Sequence, residues 1–136
     1  MKYKTAMLID DDEDSNFVDN WIIEKFFAEK VIVMQSAVEA LEYLKNRGNA
    51  IESPAVRISG EEELPEVIFL DIRLPILDGF GFLKEFENLP EVVRNKSKII
   101  VLSSSFDKGD FDRAMSNKYV YGYLNKPLSL EAVEEL

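Results

Sequence analysis

The sequence predicts a doubly wound α/β domain, with a five-stranded parallel sheet and helices on both faces. Five short apolar runs are spread along the 136 residues, and each is followed by a segment with helical periodicity. Strands separated in this way by helices pair in parallel, because parallel neighbours require crossover connections. The length suits a single domain able to bury a core. A composition that is 46% hydrophobic and 31% charged is that of an ordinary globular protein.

The elements follow in order. Residues 5–9 (TAMLI) read as a buried strand, and residues 15–28 as a helix whose Val18, Trp21, Ile22 and Phe26 recur at helical spacing. Residues 31–34 form the second strand. Ser36 and Glu39 then make a capping box ahead of Ala37, Leu41 and Leu44 on one helical face. Residues 46–64 (NRGNAIESPAVRISGEEEL) exceed the roughly 12 to 15 residues usual for a structureless loop, and are read as an insertion, either mobile or partner-binding. Residues 67–70 are the third apolar run. The helix after it, residues 78–89, carries Phe82, Leu83 and Phe86 and is stopped by Pro90. Residues 99–102 are the fourth run, and residues 107–117 keep Phe111, Ala114 and Met115 at helical spacing. Residues 120–124 are the fifth. Ser129 caps a last amphipathic piece with Leu130, Val133 and Leu136 on one side and Glu131 favourably placed against the helix dipole. At about two turns this helix is short or truncated, which leaves open a natural chain that continues past Leu136.

Composition excludes several chemistries. The 26 acidic and 16 basic residues give a formal charge of −10, a field that repels nucleic acid phosphates and anionic lipid headgroups, so no direct nucleic acid binding is expected. No stretch approaches the roughly 18 apolar residues of a membrane span, and the N-terminus shows no cleavage pattern; a cytoplasmic location without membrane attachment is expected. Cysteine and histidine are both absent, which removes thiolate chemistry, a Ser-His-Asp triad and His-ligated zinc. Chemistry here rests on carboxylates, hydroxyls and amines.

Open α/β sheets bind ligands beyond the carboxyl ends of their strands. Asp10, Asp11 and Asp12 stand at the end of the first strand and Asp71 at the end of the third. An acidic run alone is usually a solvated turn that caps the next helix. With the first and third strands adjacent, however, Asp10, Asp11 and Asp71 converge, and three crowded carboxylates call for a hard cation that keeps several waters, namely Mg²⁺. The fourth strand ends in Ser103, Ser104 and Ser105 and the fifth in Asn125, Lys126 and Pro127. A hydroxyl and an ammonium beside a metal-bound carboxylate are the groups that neutralise a phosphoryl group in transit.

The segments LIDDDE, FLDIRLPILDG, VLSSS and YLNKP, in this order and at these strand ends, resemble the signature segments of response-regulator receiver domains of two-component systems. The resemblance covers nearly the whole chain and implies one receiver domain over residues 1–136, flavodoxin-like, with strand order 2-1-3-4-5. It implies that Asp71 is the phosphoacceptor, that Asp11 ligates Mg²⁺ directly and Asp10 mainly through water, and that the backbone carbonyl of Arg73 completes the protein ligands. Ser103 resembles the hydroxyl position that hydrogen-bonds the phosphoryl group, Lys126 the lysine that pairs with it, and Tyr123 the switch aromatic. Asp12 is extra and receives no ligand role. The implied partners are a sensor histidine kinase or histidine phosphotransfer protein and a downstream protein, with a homodimer left open. The implied activity is that of a signalling phosphoacceptor and not of an enzyme, with at most slow self-phosphorylation and self-dephosphorylation.

Two other classes compete. A Mg²⁺-dependent phosphatase of the haloacid dehalogenase-like kind also uses a strand-end Asp, and Asp10 with Asp12 could imitate its nucleophile and acid; FLDIRLPILDG would then have no role. A binding module is the other, either receiver-like and never phosphorylated or flavodoxin-like. The acidic pocket argues against a flavin phosphate, which prefers hydroxyl and backbone donors.

Overall fold

The computed structural model describes residues 3–53, 64–104 and 106–136. The chain runs β1 (Tyr3–Ile9), α1 (Glu13–Phe26), β2 (Ala28–Met34), α2 (Ala37–Glu52), β3 (Val67–Asp71), α3 (Gly79–Phe86), α4 (Glu91–Lys96), β4 (Lys98–Ser103), α5 (Lys108–Met115), β5 (Val120–Asn125) and α6 (Leu130–Glu134). All strand pairings are parallel and the sheet order is β2-β1-β3-β4-β5, the doubly wound arrangement expected from the alternation of elements. Among the described residues, no helix is long and apolar enough to cross a membrane.

The strand periodicity of two divides the apolar side chains between two cores. Met7, Ile9, Ile68, Leu70, Ile99 and Val101 face α2, α3, α4 and α5. Their neighbours Ala6, Leu8, Phe69, Ile100 and Leu102 face α1 and α6. Because both faces are covered, the central strands read as unbroken apolar runs. Each large side chain buried in this way contributes about 1.5–3 kcal/mol against an exposed reference. Phe27 and Phe69 meet edge to face at 5.3 Å in the second core.

Two expectations need correction, and one element was not anticipated. In α1, the residues buried against the sheet are Asn16, Asp19 and Ile23, followed in phase by Phe27. Of the apolar set expected to face inward, Ile22 is only partly buried, and Val18, Trp21 and Phe26 stay exposed together with Phe17. The polar residues take the inner face because each has a hydrogen-bonding group to meet there, as described below. Next, the proposed insertion starts too early: α2 continues to Glu52, and Leu64 at the far end is buried, while residues 54–63 lie outside the described residues. Lastly, the crossing from β3 to β4 contains a helix, α4, that the periodicity did not reveal; it begins after Pro90 and buries Val93.

Gly48 explains why the end of α2 looks like a loop in sequence. A Cβ at this position would lie 2.7 Å from Val93 Cγ2 and 2.9 Å from two carbons of Pro90, so α4 can approach only a glycine. Gly48→Ala should therefore destabilise the fold. Alanine recovers about 1 kcal/mol of helix propensity, but overpacking against a rigid proline ring costs about 1–3 kcal/mol. Urea unfolding should show a lower midpoint at unchanged slope.

Candidate functional site

Strand register brings the acidic residues together. Ile9 is opposite Leu70 and Asp71 opposite Leu102, so Asp10, one residue beyond the β1 ladder, lies beside Asp71 at the carboxyl edge of the sheet. Carboxylate oxygens of Asp10, Asp11 and Asp71 all lie within 4.8 Å of one another. Asp10 and Asp71 are buried and Asp11 is exposed. An all-oxygen donor set with one side open to solvent fits a hard divalent cation of the Mg²⁺ kind, which keeps part of its water shell.

Each group is held in place by its neighbours. Asp10 Oδ1 accepts from the Asp12 N–H at 2.9 Å, and its backbone carbonyl accepts from Asn16 Nδ2 at 2.7 Å. Asp12 is the N-cap of α1, with Oδ1 accepting from the N–H groups of Asp14 and Ser15, so it stands apart from the convergent carboxylates. This engagement removes the support for pairing Asp10 with Asp12 as nucleophile and acid. Asp71 Oδ1 accepts from the Arg73 N–H at 3.0 Å, and Oδ2 accepts from Lys126 Nζ at 3.2 Å. The same ammonium lies 2.6 Å from Asp10 Oδ2. Lys126 thus sits between the two buried carboxylates, the internal counter-ion that makes their burial tolerable.

These environments displace the titrations. Burial pushes the Asp71 carboxyl above its ordinary value, the Arg73 N–H acts against that, the Asp10 charge adds to it, and Lys126 opposes it. For Lys126, burial acts to lower the value, but the Asp10 and Asp71 carboxylates outweigh it and the ammonium form is held more firmly than usual.

Ser103 is buried at the end of β4 opposite Asn125, and its carbonyl accepts from the Lys126 N–H at 2.8 Å. Tyr123, two residues earlier on β5 and opposite Val101, packs edge-on against Phe111 at 5.3 Å and Phe106 at 6.4 Å. Its hydroxyl is buried and has no hydrogen-bond partner among the described residues. An open cleft of about 570 Å³ adjoins the carboxylates, with Asp11, Arg73, Pro75, Asp110 and Arg113 in its walls. Two of these wall residues pair with each other, the Arg73 guanidinium lying 3.6 Å from Asp110 Oδ2 of α5.

The structure therefore brings Asp10, Asp11, Asp71 and Lys126 together and places Ser103 and Arg73 at the adjoining strand ends. It sets Tyr123 farther off, within an aromatic cluster. Sequence reasoning missed Asn16 and Asp19. Their spacing with Ile23 and Phe27 at positions 16, 19, 23 and 27 was the available signal, a helical face that the exposed aromatics concealed.

Comparison with known proteins gives a consistent result. A family model described as "Response regulator receiver domain" matches residues 6–136. The probable methanogenesis regulatory protein FilR2 of Methanothrix harundinacea is 33% identical over 100 residues, 71% of this chain but only 63% of that protein. The crystal structure of a two-component response regulator from Cytophaga hutchinsonii is similar over 99% of this chain and 94% of that one, with a TM-score of 0.82 and 28% identity. The response regulator Rcp1 of Synechocystis sp. is 26% identical over 129 residues, 94% of this chain and 80% of that protein. The crystal structure of the Mn²⁺-bound form of a response regulator Rcp1 is similar over 97% of this chain and 87% of that one, with a TM-score of 0.68 and 23% identity.

Proposed function

The chain belongs to the response regulator receiver domain family, and from that premise we propose that it accepts a phosphoryl group on Asp71 from a histidine of a partner kinase or phosphotransfer protein. The observation that carries this reading is the setting of the Asp71 carboxylate. It stands at a strand end beside an open cleft, with one oxygen on the Arg73 N–H, the other on Lys126, and two further carboxylates within reach.

In the proposed step an Asp71 oxygen attacks the phosphorus of a phosphohistidine in line; the new P–O bond forms as the P–N bond breaks, and the imidazole leaves with the partner. The chain has no histidine of its own, so the donor comes from outside it. Attack requires the ionised carboxylate. Lys126 and the Arg73 N–H favour that form against the effect of burial. Lys126 then pairs with the phosphoryl oxygens as charge moves onto them. Asp10, Asp11, Asp71 and the Arg73 carbonyl are the residues that would hold Mg²⁺, and the ion when bound supplies charge neutralisation at the transferring group. Intact mass after treatment with a small acyl phosphate and Mg²⁺ tests the reading: one added phosphoryl group is expected, and unchanged mass would overturn it.

The same reading makes Ser103 and Tyr123 a switch. The Ser103 hydroxyl moves to the phosphoryl group, and the Tyr123 ring, packed against Phe106 and Phe111, repacks in response, altering the face formed by α5 and β5 for a downstream protein. Moving such a balance from mostly off to mostly on takes about 5 kcal/mol of differential binding. Ser103→Ala should still be labelled at Asp71, yet amide exchange across residues 107–124 should lose most of its response to a phosphoryl mimic. An undiminished response would separate Ser103 from the switch.

A further inference from the structure

Of the carboxylates that the described residues bury, Asp10 and Asp71 belong to the chemistry proposed above and Asp19 does not. Asp19 lies on the inner face of α1, wholly out of solvent. Its Oδ1 accepts from the backbone N–H of Leu128 at 3.0 Å, a contact between residues 109 positions apart, and Ser15 Oγ lies 3.4 Å from Oδ2. Burial raises its carboxyl above the ordinary value, the Leu128 N–H and the nearby Lys126 charge oppose that, and the Asp10 charge adds to it. A carboxylate kept in such a place for packing alone would be a poor choice, since an apolar side chain would avoid the desolvation cost.

What Asp19 holds is the segment that carries Lys126. The Lys126 N–H is bound to the Ser103 carbonyl at 2.8 Å, which fixes the segment to the end of β4. Two residues on, Leu128 is buried in the α1–α6 core with its N–H bound to Asp19. Between these anchors the Lys126 side chain reaches both Asp10 and Asp71. Resting on the phosphoacceptor reading of the site, we infer that Asp19 is a positioning residue for phosphoryl transfer, fixing the Lys126–Leu128 segment through the Leu128 N–H so that the ammonium stays on the Asp71 carboxylate. Asn16, one turn earlier on the same face, acts alike on Asp10 through its carbonyl.

The experiment uses Asp19→Asn, which keeps an acceptor oxygen for Leu128, and Asp19→Ala and Asp19→Leu, which remove it; leucine fills the space if alanine fails to fold. The first measurement needs no phosphoryl transfer. Acylation of lysine amines is followed by mass spectrometry in the metal-free protein, with the exposed Lys108 as internal reference. The Lys126 side chain, 12% exposed and paired with two carboxylates, should react slowly in the parent and in Asp19→Asn. It should react about tenfold faster in Asp19→Ala or Asp19→Leu, the size of effect that one buried hydrogen bond confers. The second measurement is the rate of labelling by a small acyl phosphate. Removal of the acceptor should slow it about tenfold, Asp19→Asn should restore it, and in a Lys126→Ala background the same removal should add nothing. Unchanged Lys126 reactivity, failure of Asp19→Asn to restore it, or a full additional loss without Lys126 would each overturn the inference. Absence of labelling in every chain, the parent included, would instead overturn the phosphoacceptor reading, while the acylation result would still decide whether Asp19 holds Lys126.

Discussion

Asp71→Asn is expected to take up no phosphoryl group from an acyl phosphate and Mg²⁺, under conditions where the parent gains one. The amide keeps the shape of the side chain and removes the nucleophilic charge, so the loss should be complete within detection. Label at another residue would place the acceptor elsewhere. The same variant should melt a few degrees above the metal-free parent at neutral pH. Burial first, and then the Asp10 charge, raise the Asp71 carboxyl from its ordinary 3.8, so the folded state binds that proton more tightly than the unfolded chain does. The associated stability is fully present below about pH 4 and is lost as pH rises through the raised value, leaving the ionised carboxylate a cost at pH 7. Asparagine lacks that cost, and Lys126 keeps Asp10 as partner at 2.6 Å. The advantage over the parent should shrink as pH falls toward 4, which scanning calorimetry across pH would show.

Asp11→Ala should weaken Mg²⁺ binding by about 100-fold, the upper end of the 10–100-fold loss seen when a residue that merely supports a metal ligand is removed. Asp12→Ala should leave it within a few-fold. The two are neighbours of identical chemistry, and only their geometry separates them. Asp11 contributes an oxygen to the convergent set, whereas Asp12 spends its carboxylate on the first turn of α1. The variants should also differ in stability, because loss of an N-cap costs about 1 kcal/mol, while Asp11 is exposed and caps nothing. Calorimetric Mg²⁺ titration and thermal melts of both variants provide the comparison. Equal losses of affinity would contradict the ligand register.

The strands were legible because both sheet faces are covered, so that every residue of β3 is buried and the run VIFLD stands out against its surroundings. The convergence of Asp10, Asp11 and Asp71 followed from strand adjacency and the strand-end rule. The phase of α1 was hidden for a specific reason. A buried Asn16 and Asp19 look like surface residues until the Asp10 carbonyl and the Leu128 N–H that they serve are in view, and Leu128 is 109 residues away from Asp19. Helix α4 escaped notice because six residues hold too few turns for periodicity to register. The extension of α2 was masked by Gly48, whose small size serves contact with Pro90 and Val93 and not a turn.

The inverted face of α1 also decides how this protein can be observed. Trp21 is its one tryptophan and is 51% exposed, with the Lys25 ammonium 5.2 Å from its ring centre and Phe26 set edge-on at 6.0 Å. An indole already half in water changes its surroundings little when the chain unfolds, so its emission should be a weak readout of folding. A molecule that comes to rest on α1 would strip that water away and shift the emission to the blue. Circular dichroism and intrinsic fluorescence should therefore report different events in the same sample, the first following the fold and the second following encounters at one flank of it.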